Sequence, residues 1–120
     1  MPTQFHAVLR SAEKLKAAGF HEIREVDQWN LEAGKGYYMT RNLSSLIAFR
    51  VPKTLPAAGG AHCFKIVTTH GDSPCLRLAP RSKMEDRYGF QQFCVQVYGG
   101  PILHSWLDRD LCLAGKVVIK

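Results

Sequence analysis

Apolar and polar positions follow more than one rhythm along this chain, and each rhythm marks a different kind of element. Near the start, Phe5, Val8, Leu9, Ala12 and Leu15 stand 3, 1, 3 and 3 residues apart, a spacing that gathers side chains on one face of an α-helix. Thr3 is placed to cap this helix, because its hydroxyl can accept from the unsatisfied N–H groups of the first turn. Gly19 suits the residue just past the helix end. Phe20, Ile23, Val26 and Trp29 continue with a helix-like spacing, over too short a stretch to establish a second helix. Gly34-Lys35-Gly36 then turns the chain into Tyr37-Tyr38-Met39-Thr40. Residues 41–45 read as a loop, and Leu46-Ile47-Ala48-Phe49-Arg50-Val51 returns as a strand, so the pattern predicts a hairpin.

Pro52 through Gly60 holds two Pro, two Gly and two Ala and reads as a surface loop. Beyond it the run Phe64-Lys65-Ile66-Val67-Thr68 reads as a strand, followed by a short strand around Leu76–Leu78 and a polar connection from Arg81 to Tyr88. Phe90 to Tyr98 alternates as a strand, with Phe93, Val95 and Val97 on one face, until Gly99-Gly100-Pro101 breaks it. Lys116-Val117-Val118-Ile119-Lys120 looks like a strand entering a sheet. An exposed apolar edge invites aggregation, so this end reads as a cut made inside a larger fold.

The stretch Thr69-His70-Gly71-Asp72-Ser73-Pro74 carries the chemistry. If residues 64–68 form a strand, period-two alternation sets His70 and Asp72 on one face with Gly71 pointing away. A metal-binding imidazole needs a partner that fixes its tautomer, and a carboxylate is the usual one. Taken alone, a His-x-Asp pair after a strand is more often a structural hydrogen-bonded pair. His62 and His104 read as solvent-exposed loop residues. Asp108-Arg109-Asp110 reads as an ion pair or turn, and Tyr37, Tyr38 and Phe49 as core.

Composition narrows the classes. With 120 residues and 46% hydrophobic content, the chain can build one modest core. The net charge of +6 comes from residues scattered from Arg10 to Lys120. Its densest cluster, Arg77, Arg81, Lys83 and Arg87, is broken by Glu85 and Asp86, whereas a nucleic-acid surface needs a tighter basic stripe with interleaved aromatics. No apolar stretch approaches spanning length. Neither nucleic acid nor membrane is therefore expected as a partner. Cys63, Cys75, Cys94 and Cys112 show no CxxC spacing, which excludes a zinc knuckle and fits free thiols in a reducing compartment, the cytoplasm.

Several segments together resemble the aspartyl aminopeptidases, a family of zinc-dependent exopeptidases. Phe5-His6-Ala7-Val8 and Ala18-Gly19-Phe20 are similar to that family's opening helix. Trp29, Tyr38-Met39-Thr40-Arg41-Asn42 and Ile47-Ala48-Phe49 are similar to its first hairpin. His70-Gly71-Asp72-Ser73-Pro74-Cys75-Leu76-Arg77 resembles the His-Thr-Asp-Ser-Pro-Cys-Leu-Arg motif around its first zinc ligand. Gly89-Phe90-Gln91-Gln92, Tyr98-Gly99-Gly100, Trp106-Leu107-Asp108-Arg109-Asp110-Leu111 and Leu113-Ala114-Gly115 follow in the family's order. Gly71 replaces the family's Thr, and Pro101 replaces a third Gly of its glycine run.

The resemblance implies an α/β fold: an N-terminal helix, a hairpin and the first strands of a metallopeptidase catalytic domain over residues 1–80, then the start of an inserted β-rich dimerisation domain over residues 81–120. It implies that His70 is a zinc ligand and that Asp72 orients it and tunes the metal. It further implies two zinc ions per active site, bridged by a carboxylate, with an adjacent Glu-Glu pair supplying the general base and a ligand. The five glutamates here, Glu13, Glu22, Glu25, Glu32 and Glu85, contain no such pair. The implied activity is removal of N-terminal Asp or Glu from peptides by metal-activated water, in a homo-oligomer of dodecamer type. The competing expectation is a truncated, catalytically silent homologue or interaction fragment.

Overall fold

A computed structural model describes residues 2–54, 63–85 and 88–120 of the chain. The first helix, α1 (Gln4–Ala17), begins where the apolar spacing places it. Thr3 is extended, and its hydroxyl accepts from the His6 N–H at 3.4 Å and lies 2.8 Å from His6 Nδ1. At the other end the N–H of Gly19 bonds the Lys16 carbonyl and the N–H of Phe20 bonds that of Leu15, both at 3.0 Å, with Gly19 at φ 80°. That paired pattern closes the last carbonyls as a left-handed cap does, while Lys14 and Lys16 in the last turn complement the helix dipole.

The cap hands the chain to a three-stranded sheet of β1 (His21–Glu22), β2 (Gly36–Arg41) and β3 (Ser45–Arg50), with β2 in the centre. The expected hairpin is β2 and β3, antiparallel with Gly36 opposite Arg50 and Arg41 opposite Ser45. Its turn runs Arg41-Asn42-Leu43-Ser44, with Asn42 at φ 51°, Leu43 at φ 55° and the Ser44 N–H on the Arg41 carbonyl at 3.1 Å. These are the mirror-image turn angles whose twist matches that of paired strands. Strand β1 adds in parallel, His21 beside Tyr37 and Glu22 beside Tyr38.

Because β2 is central, its residues Gly36 to Met39 are buried in succession rather than alternately. Tyr37 meets Phe49 and His21, each at 5.8 Å between ring centroids, and Trp29 covers Phe49 from 6.2 Å. Tyr38 lies on the other face with Thr40, under α1, where Ala7 is buried. Both phenols are satisfied: Tyr37 accepts from the Glu32 N–H at 2.9 Å and Tyr38 donates to Glu22 at 3.3 Å. Burying each of these tyrosines contributes on the order of 2–3 kcal/mol, and they form the centre of the core as expected.

A separate two-stranded ribbon pairs β4 (Cys75–Lys83) with β5 (Phe93–Tyr98). Opposed residues share a face, so Leu76, Leu78, Val95 and Val97 line one side and Cys75, Arg77, Gln96 and Tyr98 the other. The register shifts between Leu78 and Lys83, around Pro80, which cannot donate to a ladder. A 3₁₀ turn follows at Leu103–Trp106. The radius of gyration is 20.6 Å, against about 14 Å for a compact domain of this length, so the described residues do not pack as one compact body. The ribbon meets α1 through Arg77 and Gln4, and Lys116 Nζ lies 5.9 Å from the Phe5 ring centroid.

Three expectations are corrected. Residues 64–68 form no strand: Phe64, Ile66 and Val67 are 87%, 79% and 95% exposed, and no described strand pairs with them. Residues 116–120 likewise form no strand, with Val117 to Ile119 exposed. Apolar composition supplies propensity, but a strand exists only where a partner ladder does. The polar connection expected from Arg81 starts later, because β4 runs to Lys83. The helix-like spacing from Phe20 to Trp29, too short to establish a helix, yields β1 and a turn, with Val26 exposed and the Trp29 indole donating to the Arg24 carbonyl at 2.7 Å. Most of the loop after Pro52 and all of His62 lie outside the described residues.

Candidate metal-ligand site

The strand expected to present His70 is absent, so alternation does not set His70 and Asp72 side by side. A bend at Asp72 does it instead. The bend returns the carboxylate to the ring, with Asp72 Oδ1 3.0 Å from His70 Nδ1 and the Asp72 backbone carbonyl 3.1 Å from the same nitrogen. Both oxygens accept. In the neutral imidazole the proton therefore sits on Nδ1, and Nε2 carries the lone pair.

Nε2 faces the ribbon. The Tyr98 hydroxyl lies 3.1 Å from it, and the two rings stand 5.8 Å apart between centroids. Arg77 stacks over the Tyr98 ring at 3.4 Å, donates to Gln4 of α1 at 3.1 Å, and places Nη2 3.7 Å from Asp72 Oδ2. Strand register explains the stack: Tyr98 opposes Cys75, so Arg77 is its diagonal neighbour on the same face. The Asp72 side chain is only 11% exposed, whereas that of His70 is 67% exposed. Packing thus holds the carboxylate, and hydrogen bonds hold the imidazole.

A cleft of about 340 Å³ opens beside this pair, bounded by Gln4 and Ser11 of α1, Ser44 and Ser45 of the hairpin turn, and Thr69 to Asp72. The donor chemistry of His70 fits one ligand position of a zinc site, with its supporting carboxylate in place. Zinc takes three or four protein ligands, and no group of three His, Cys, Asp or Glu gathers among the described residues. His104 stands exposed in the 3₁₀ turn, and Asp108, at φ 52°, occupies the turn that follows it.

Sequence reasoning paired His70 with Asp72, which do meet, and missed Tyr98, Arg77 and Gln4 as their neighbours. Arg77 and Tyr98 were visible only as parts of separate motifs. Their meeting depends on the β4–β5 register, which no local spacing specifies.

Comparison with known proteins identifies the family. Residues 1–120 match the family model of the aminopeptidase I zinc metalloproteases (M18). A probable M18 family aminopeptidase 2 of Pseudomonas paraeruginosa is 48% identical over 119 residues, 99% of this chain and 27% of the relative. The corresponding protein of Pseudomonas syringae pv. tomato is 45% identical over the same shares. The chain thus spans about a quarter of the length of these curated relatives. Among solved structures, a chain of the cryo-EM structure of the Ape4 and Nbr1 complex superposes with a TM-score of 0.75 at 44% identity, over 91% of this chain and 20% of that one. Chaetomium thermophilum mApe1 superposes with a TM-score of 0.68 at 34% identity, over 91% and 24%. On the whole-chain family match and these identities, the chain belongs to the M18 family of zinc aminopeptidases.

Proposed function

We propose that this chain carries a metal-holding histidine of an aminopeptidase that removes Asp or Glu from the N-termini of peptides. The carrying observation is the pair of Asp72 oxygens, carboxylate and carbonyl, at His70 Nδ1: both accept, so Nε2 is the nitrogen available to a cation. Here His70 would hold zinc through Nε2, with Asp72 keeping the ring proton on Nδ1 and making the imidazole a stronger donor. Zinc held there would supply polarisation of the scissile carbonyl and a lowered pKa of the attacking water. The net charge of +6 supports attraction of acidic peptides. Resemblance to the aspartyl aminopeptidases supports two ions per site, the other ligands and the base coming from residues beyond those gathered around His70.

The same reading assigns residues 1–80 to the catalytic domain and residues 81–120 to the opening of an inserted dimerisation domain in a dodecamer-type homo-oligomer. The register shift between Leu78 and Lys83 falls at that division, and the apolar face of the ribbon needs a cover. Four free cysteines support a cytoplasmic setting.

A second reading, that the 120-residue chain is catalytically silent and acts as an interaction fragment, is favoured by the lack of a three-ligand group among the described residues. One experiment addresses both. This chain replaces the matching segment of the Pseudomonas paraeruginosa relative, and aspartate release from an Asp-peptide is measured for the chimera and for the chain alone. The chimera is expected to release aspartate, and to lose that activity with chelator and with His70→Ala, while the chain alone releases none. A chimera that keeps its activity with His70→Ala overturns the assignment of His70. Chelator-sensitive release by the chain alone overturns the silent reading.

A further inference from the structure

The His70 ring has a second anchor that the His-x-Asp motif does not contain. The imidazole is largely exposed, so little packing restrains its rotation, and a single bonded nitrogen leaves it free to swing. The second nitrogen is also engaged. Since Nδ1 holds the ring proton, Nε2 can only accept, and the Tyr98 hydroxyl 3.1 Å away must be the donor. We infer that Tyr98, held by Arg77, is a positioning residue whose hydroxyl caps His70 Nε2 and competes with a cation for that nitrogen. This inference rests on the reading of His70 as a metal ligand.

Three features carry it. The cap aims the Nε2 lone pair at one point, so the ring is already in its donor tautomer and orientation before a cation arrives. Arg77 fixes the capping ring from behind at 3.4 Å and is itself tied to Gln4 of α1. It therefore couples the ribbon, the helix and Asp72 in one network. Finally, the phenol hydrogen and a cation compete for the same lone pair, so the cap lowers apparent affinity while keeping the site ordered.

The test uses the full 120-residue chain with Tyr98→Phe, which keeps the ring and removes only the hydroxyl, and with Arg77→Lys, which keeps the charge and removes the planar stack. The readouts are the ¹⁵N resonances of His70 in that chain, recorded without added metal, and the zinc affinity of the chimera with the Pseudomonas paraeruginosa relative carrying the same substitutions, measured by competition with a chromogenic chelator. Without metal, Tyr98→Phe is expected to shift Nε2 downfield while Nδ1 stays protonated, and Arg77→Lys to shift it part of the way. Zinc is expected to bind roughly five- to tenfold tighter to Tyr98→Phe, the equivalent of one ordinary hydrogen bond removed from competition. An Nε2 resonance unchanged in Tyr98→Phe overturns the cap, as does weaker zinc binding by that variant. If Nε2 shifts as expected but the chimera binds zinc equally well with His70 and with His70→Ala, the cap is supported and the reading of His70 as a ligand fails.

Discussion

Replacing Gly36 by alanine puts a methyl group where the Phe20 ring already lies. A Cβ built on Gly36 stands 2.7 Å from two ring atoms of Phe20 and 2.9 Å from a third, well inside van der Waals contact. The ring cannot withdraw freely, because the Arg50 guanidinium lies 5.3 Å from its centroid on the strand that pairs with Gly36. Overpacking of this kind costs about 1–3 kcal/mol. Gly36 has no left-handed φ, so alanine also returns about 0.4–1 kcal/mol by restricting the unfolded chain. The net expectation is a loss of about 1–2 kcal/mol, or about 4–8 °C in Tm for a chain of this size. Thermal melts followed by circular dichroism measure it, with Gly100→Ala as control, since a Cβ there meets nothing within 4 Å. Adding Phe20→Leu should recover part of the loss through a favourable coupling in the double-mutant cycle. If Gly36→Ala melts at or above the parent temperature, the argument that this glycine is required by the ring fails.

Two further outcomes follow from the same geometry. Gly71, between the site residues, has open space around its missing Cβ and no left-handed φ, so Gly71→Ala should stabilise the chain by about 0.4–1 kcal/mol and leave the His70 resonances in place; urea titration and the ¹⁵N spectrum check the two halves. Burial, with the Glu22 charge and hydrogen bond behind it, holds the Tyr38 phenol above its ordinary value. The fold therefore favours the neutral phenol, and this stabilisation is complete below about pH 10 and lost as pH rises through the folded value. Urea midpoints should fall more steeply on the alkaline side for the parent than for Tyr38→Phe, and parallel slopes would contradict the assignment.

The elements legible in the sequence were those whose signals are local. Thr3, the apolar stripe of α1 and Gly19 lie within one helix and its caps, and each did what its chemistry predicts. The hairpin was legible because Arg41-Asn42 sits between two strands that pair with each other. The alternation of Phe93 to Tyr98 also sufficed for β5, which pairs with β4, but two other apolar runs misled. Phe64 to Thr68 and Lys116 to Lys120 have strand chemistry but no described ladder, whereas His21-Glu22, with little strand signal, became β1 because the cap of α1 delivers it beside Tyr37 and Tyr38.

The candidate site divides along the same line. His70 and Asp72 are two residues apart, and their pairing survives the loss of the strand expected to present them, because a bend serves as well as a pleat. Tyr98 is 28 residues from His70, and Gln4 is 73 from Arg77. Those contacts are set by the β4–β5 register and by the approach of the ribbon to α1, neither of which any short window encodes. A motif can thus name the donor atom while leaving open what holds it. With 67% of its side chain exposed, His70 gains little order from burial, so the orientation of Nε2 depends on the long-range partners more than on the motif. Changes at Arg77 or Tyr98 should then alter the donor without touching either residue of the His-x-Asp pair.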